Sequence, residues 1–336
     1  MMAAYEHVIS CPRRPWQDRE RKEPPLDLVG QVAPVVRQTE ARSPIALGAY
    51  IFRCPGDPLE LDRFADEIGR QPAIVMWYEQ WGGWDNGRLR LWEVQDVARR
   101  GATPLITWDP WDPTAGLDQP TYRLVNIARG HFDAYVDSWA NSLARYGQPV
   151  YLRFGHEMNG TWYPWSAGVN GNTAAAYVAA WRRIHRRFVK AGARNVRWVW
   201  SPSIECAGST PLDHLYPGDA YVDWVGLDGY NWGTSQSGGQ WREFDELFLP
   251  SYQRLRSLTA KPLMIAETAS TEVGGDKAGW IRRAFLDHVP HRFPHLKAVI
   301  WFHENKETDW RVSSSPEALA AFREAAHAQY FQGALP

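Results

Sequence analysis

The stretch PVYLRFGHEMNGTWYPW, residues 149–165, decides how the fold is read. It begins with a short apolar run, PVYLRF, that has strand length and β-branched or aromatic residues. At Gly155 the texture changes abruptly to a dense group of polar, ionisable and aromatic residues. Strand alternation places Tyr151, Arg153, Gly155 and Glu157 on one side of the chain. Moving outward in both directions, the same pattern recurs. Strand-like runs occupy 45–52 (IALGAYIF), 73–78 (AIVMWY), 103–108 (TPLITW), 149–154, 196–201 (VRWVWS), 221–228 (YVDWVGLD), 262–267 (PLMIAE) and 297–302 (KAVIWF). Helical patterns lie between them, at 58–69, 91–101, 132–147, 173–192 and 278–293 among others. In FDAYVDSWANSLARYG (132–147) the apolar residues recur at three and four positions, the helix period. Gly147 and Gly192 stand where C-caps are expected, and Asn172-Thr173 can open the helix that follows. Eight strands alternating with helices predict a parallel α/β body, and the number eight favours a closed (β/α)8 TIM barrel over an open doubly wound sheet. No G-x-G-x-x-G follows the first run, so a dinucleotide fold has no support.

One barrel fits the chain length. The 336 residues carry 37 Lys and Arg against 38 Asp and Glu, and this balance offers no global attraction to nucleic acid or to an anionic membrane. No apolar run reaches membrane-spanning length. Between Arg13 and Glu23, eight of eleven residues are charged, and prolines follow at 24, 25 and 34. Residues 1–43 therefore read as an N-terminal arm, partly extended or disordered, residues 44–330 as the barrel domain, and 331–336 as a C-terminal tail. The start lacks the apolar core of an export signal, which reads as cytoplasmic, or as secreted or periplasmic if the true start lies upstream. Cys11, Cys54 and Cys206 cannot form a disulfide framework, although one pair remains possible. A monomer is expected.

Chemistry in such a barrel collects at the C-terminal ends of the strands. Here seven of the eight ends carry the same kind of residue: MWYEQWGGW, TWDPWDP, GHEMNGTWYPW, WVWSPSIE, GLDGYNWG, AETAS and WFHENKETDW. Glu157 and Glu267 are the central pair, ending the fourth and seventh strands and able to face one cavity from opposite sides. Cleavage of an acetal needs a proton for the leaving oxygen and a nucleophile or base at the anomeric carbon, and two carboxyls with divergent pKa values supply both. The alternative for either glutamate alone is a salt bridge or a cap. HEMNG is not H-E-x-x-H, because Gly160 stands at the second histidine position, and HENKE (303–307) fails too, so no metal is expected. A G-x-S-x-G elbow is absent, and no cofactor is implied.

The 19 tryptophans are the other unusual feature. Trp81, Trp84, Trp111, Trp162, Trp165 and Trp232 stand in loops rich in Gly, Pro, Asn and Asp. Flat rings beside Asp and Asn suit a sugar, whose CH face packs on the ring while its hydroxyls bond the polar groups. Several such rings imply several subsites and a polymeric ligand. Trp108 reads either as barrel filling or as part of this surface, and Glu79, Asp109 and Asn159 are polar candidates near it.

With these motifs the chain resembles glycoside hydrolase family 26, over about residues 44–330. RFGHEMNGTWYPW (153–165) is similar to the family's fourth-strand signature. The resemblance implies a retaining endo-acting hydrolase of a β-linked polysaccharide, with Glu157 as acid/base and Glu267, in IAET, as nucleophile. It further implies that His156 contacts the nucleophile, that Arg153 supports it from beneath, and that Asp228 and Tyr230 match a D-x-Y whose tyrosine bonds the nucleophile. Trp301 resembles a platform under the sugar at the cleavage point, and Trp162 the aromatic just beyond. The histidine-containing segment usual early in the barrel of the mannanases has no counterpart in WYEQWGGW or TWDPW. TWDPW looks closer to members related to mixed-linkage β-1,3-1,4-glucanases, which favours glucan, with endo-β-1,4-mannanase as the alternative, then xylan or an exopolysaccharide. A silent carbohydrate-binding barrel is the alternative of another class.

Overall fold

A computed structural model describes residues 44–83, 87–206 and 208–336. The expected N-terminal arm and Trp84 lie outside the described residues. Among the described residues, nine parallel strands run in chain order: β1 (Ala46–Ile51), β2 (Ile74–Gln80), β3 (Thr103–Asp109), β4 (Val150–Phe154), β5 (Val196–Trp200), β6 (Trp224–Val225), β7 (Asp228–Asn231), β8 (Leu263–Ser270) and β9 (Leu296–His303). They make eight staves, because β6 and β7 are two halves of one: both pair with β8, and β6 also pairs with β5. β9 pairs with β1, so the sheet closes into a (β/α)8 barrel. The sixth sequence run, 221–228, anticipates only the first half of its stave. The interruption falls at Gly226, where a Cβ would sit 2.3 Å from the Ser201 hydroxyl, so the strand passes Ser201 only as glycine.

Two apolar layers hold the barrel. Ile74, Met76, Leu105, Tyr151, Val199, Met264 and Ile300 point inward and are buried. Gly48 lies beside Ile74, whose Cβ would be 2.6 Å from an added one, so the barrel interior is filled without a side chain there. The outward residues of the same strands pack under the helices, and that layer is rich in large rings, Trp108, Trp139, Trp181, Trp280 and Trp301 among them. Burying each such ring stabilises by roughly 1.5–3 kcal/mol or more. The helix Asp133–Tyr146 stops at Gly147, and Ala174–Ala191 stops at Gly192, both glycines being left-handed. Thr173 caps the second of these by accepting from the Ala176 N–H at 3.1 Å. The helix Phe244–Leu258 carries Pro250 within it. Residues 331–336, read as a tail, pack against the barrel: the Gly333 N–H bonds the Ile45 carbonyl, Leu335 meets the inner layer, and the Tyr151 hydroxyl donates to the Pro336 carbonyl at 3.0 Å. These contacts lie away from the strand ends that carry the ionisable residues.

Candidate active site

Glu157 stands two residues beyond Gly155, where the chain leaves β4. Both residues have positive φ, +50° at Gly155 and +51° at Glu157. A left-handed glutamate costs on the order of 1–3 kcal/mol unless its surroundings hold it. Here the Glu157 N–H bonds the Ser201 carbonyl at 2.8 Å, fixing the turn to the end of β5. The Glu157 side chain is buried and accepts the Trp162 indole N–H at 2.7 Å. Burial first, and then the charge of Glu267, push its carboxyl up to about 8, against the weaker opposing pull of Trp162 and Arg153.

Glu267 lies within β8 and is buried with a different set of neighbours. Burial alone would raise its pKa, but Arg153, then His156 and the hydroxyls of Tyr230 and Tyr78, hold it down at about 2. Tyr78 donates to one carboxylate oxygen at 2.6 Å and Tyr230 to the other at 2.5 Å. Arg153, fully buried, donates to the same oxygen as Tyr78. It also bonds both oxygens of Asp228 at 3.0 and 3.1 Å and the Thr107 hydroxyl at 2.8 Å. One guanidinium thus joins Glu267 to Asp228, the residue beside it in the β7–β8 register. Burial first, and Glu267 next, push both tyrosines well above their ordinary pKa, so they remain protonated donors.

His156, the neighbour of Glu157 in the chain, is buried close to Glu267. Its Nδ1 faces the Asp109 carboxylate at 3.0 Å, which can only accept, so Nδ1 carries a proton. Its Nε2 lies 3.2 Å from the Tyr163 hydroxyl and 4.0 Å from Glu267. Asp109 therefore meets the histidine ring, which it orients. Tyr163 stacks on Trp165 at 4.3 Å, and the Trp165 indole donates to the His156 carbonyl at 2.7 Å.

Glu157, Glu267, Arg153, His156, Asp228, Tyr230 and Trp162 are thus brought together at the strand ends. Trp232, half-buried, joins their rim: it packs edge-to-face on Trp310 at 4.8 Å and lies 6.2 Å from Tyr230. Other expected residues are placed elsewhere. Trp301 is fully buried among Trp280, Phe285 and Phe322 of the helical layer, and so cannot be the sugar platform. It sits on the outward side of β9, and the inward neighbour Phe302 stacks on Tyr50 beside the site instead. Glu79 also points outward, accepting from the Trp77 indole and from Arg90. Trp108 lies beneath Trp81 and against Trp139, with its N–H on Tyr135. Trp81 is 4% exposed, wedged against Phe132, Tyr135 and Phe154. Trp111 and Trp165 are buried against each other and Tyr163, so these four rings support the site from behind. Asn159 is buried as well, and both ends of its amide bond the Ser203 backbone at 2.9 Å, clipping two loops together. Tyr78, Tyr163 and Phe302 are site residues that the sequence reading missed. For Tyr78 the signal was present, since Ile74, Met76 and Tyr78 alternate along β2.

A barrel mouth with two buried carboxyls, one kept protonated and one kept ionised, defines the two-carboxylate class of glycosidase site. Residues 103–266 match the model of a family described as "Glycosyl hydrolase family 26". The chain belongs to that family. It is 42% identical over 288 residues to "Endoglucanase H" of Acetivibrio thermocellus, covering 84% of this chain and 30% of that protein. It is 29% identical over 167 residues to a "Mannan endo-1,4-beta-mannosidase" of Bacillus subtilis, covering 48% of this chain and 41% of the other. Among solved structures, a Cellulomonas fimi endo-β-1,4-mannanase double mutant superposes with a TM-score of 0.64 at 17% identity, over 85% of this chain and 71% of that one, a likeness of fold. The chain thus spans less than half the length of the two relatives compared by sequence.

Proposed function

We propose that the chain is a retaining, endo-acting hydrolase of a β-linked polysaccharide, with Glu157 as acid/base and Glu267 as nucleophile. The observation that carries this reading is the divergence of the pair: the first carboxyl is pushed up to about 8 and the second held at about 2. At neutral pH one carries the proton that the leaving oxygen needs, and the other the negative charge that attacks the anomeric carbon. In the first step the bond from the anomeric carbon to the leaving oxygen breaks, Glu157 protonates that oxygen, and Glu267 forms an ester to the sugar. The ester removes the Glu267 charge, one of the causes that keep Glu157 protonated, so Glu157 becomes a base as its second task begins. It then takes a proton from water, whose oxygen displaces Glu267 from the anomeric carbon. Tyr78, Tyr230 and Arg153 aim the Glu267 carboxylate, and Trp162 and Trp232 offer the half-exposed rings on which sugar faces can pack.

The polymer is proposed to have a β-1,4-linked backbone. Mannan is the first reading, because mannan endo-1,4-β-mannosidase is the name that recurs most among the relatives, and this displaces the glucan preference drawn from TWDPW. Glucan is the second reading, favoured by the length and identity of the match to an endoglucanase. Hydrolysis of linear β-1,4-mannan, mixed-linkage β-glucan, xylan and carboxymethylcellulose, compared in parallel with product lengths followed over time, tests both. Mixed-length products should appear early, and activity should be lost in Glu267→Ala. Absence of hydrolysis on every polymer, or activity that survives Glu267→Ala, would refute it.

A further inference from the structure

A second concavity lies beside the site, between the loop after β1, the helix Pro58–Ile68 and the loop after β9. Its volume is about 270 Å³, and Phe52, Glu67, His303, Glu304 and Asn305 are among the residues that line it. Phe52 is 46% exposed, whereas the other phenylalanines among the described residues are buried or half-buried. His303 is 9% exposed, and its Nδ1 accepts the Val312 N–H at 3.1 Å, which leaves the proton on Nε2. That Nε2 is 3.9 Å from the nearer Glu67 oxygen, beyond a hydrogen bond, and this oxygen is buried without a partner. Burial first, with Arg311 and Lys277 adding, pushes His303 down to about 3, so it remains a neutral donor. An exposed ring beside a neutral N–H, an exposed amide and carboxylate acceptors is a lining that a sugar can use, and the two cations that also line the concavity, Arg63 and Arg311, are already paired with Glu60 and Asp309.

The concavity connects to Glu267 through packed rings. The Tyr50 hydroxyl donates to Glu304 at 3.0 Å, and its ring stacks on Phe302 at 4.4 Å and meets Tyr78 edge-on at 5.2 Å. Tyr78 in turn donates to Glu267. In the eight-stave barrel β9 stands across from β4, which carries the proposed acid and Trp162. The leaving part of the substrate lies on the acid's side, so the concavity lies on the side of the sugar that becomes attached to Glu267.

We propose that this concavity is a distal subsite that holds a pyranose residue of the β-glycan on the non-reducing side of the cleaved bond, with Phe52 as its stacking platform. The inference rests on the functional reading above. The test titrates the full chain carrying Glu267→Ala with β-1,4-linked manno- and cello-oligosaccharides of three and six residues, with and without Phe52→Ala. Loss of the ring should weaken hexasaccharide binding about tenfold and leave the trisaccharide unchanged, while Phe52→Tyr should bind like the parent. Unchanged trisaccharide binding also shows that the variant is folded. Hexasaccharide binding indifferent to Phe52→Ala would overturn the subsite, as would equal weakening of both lengths. Failure of the chain without substitutions to cut any β-glycan would instead sink the functional reading, so the two failures are separable.

Discussion

Replacing Glu267 by glutamine removes a negative charge while nearly keeping the side-chain shape, and it should lower the pKa of Glu157. Two causes raise that carboxyl to about 8, burial first and Glu267 second. Two unit charges about 5.5 Å apart, the separation of a retaining pair, interact by about 3 kcal/mol at an effective dielectric near about 20, equivalent to about 2 pH units. Glu157 in Glu267→Gln should therefore titrate near about 6, still above an ordinary glutamate because burial remains. In the unsubstituted chain, kcat/KM should fall as pH rises through about 8, because the acid form is lost there. The acidic limb belongs to Glu267, held at about 2, and so should lie below the ordinary carboxylate range. The alkaline limb is read from kcat/KM against pH. The Glu157 midpoint in Glu267→Gln is read by NMR of carboxyl-labelled glutamate or by infrared titration. A midpoint that stays at about 8 in the variant would show that the two carboxyls do not sense each other, and the account of the pair would fail.

Other substitutions test the surroundings. Tyr230→Phe removes a hydroxyl that donates to Glu267 at 2.5 Å, and kcat/KM should drop by about 10- to 100-fold, the worth of a hydrogen bond to a charged group. A variant as active as the parent would take Tyr230 out of the site. Arg153→Met leaves Asp228 and Glu267 buried without their shared cation, and should cost about 3–5 kcal/mol of stability in urea unfolding. Trp301→Ala should cost about 3–5 kcal/mol as a core cavity and leave KM near the parent value; a large rise in KM with unchanged stability would restore it as a sugar platform.

The staves and the two glutamates were legible in the sequence because each leaves a mark in one dimension. The staves are short apolar runs separated by helical patterns, and the glutamates stand where such runs end. The side to which a strand residue points leaves a weaker mark. Trp301 and Phe302 are neighbours, as are Tyr78 and Glu79, and in each pair an error of one residue exchanges the barrel mouth for the helical layer. Alternation counted from Ile300 and from Ile74 and Met76 would have chosen Phe302 and Tyr78. The loop tryptophans failed for another reason. Gly and Asn neighbours predict a loop, but Trp81, Trp111 and Trp165 are loop residues folded back beneath the site, buried by rings far away in the chain: Phe132 on Trp81, Tyr163 on Trp111, and Trp111 on Trp165. The interruption between β6 and β7 depends on Ser201 of a neighbouring loop, and nothing local to Gly226 announces it.

The stereochemistry of hydrolysis tests the central claim most directly. Proton NMR of the first minutes of cleavage of a β-1,4-linked oligosaccharide shows which anomer is released before mutarotation. Attack by Glu267 followed by attack of water inverts the anomeric carbon twice, so the β-anomer should appear first. Initial release of the α-anomer would mean a single displacement by water, and would contradict the assignment of Glu267 as nucleophile.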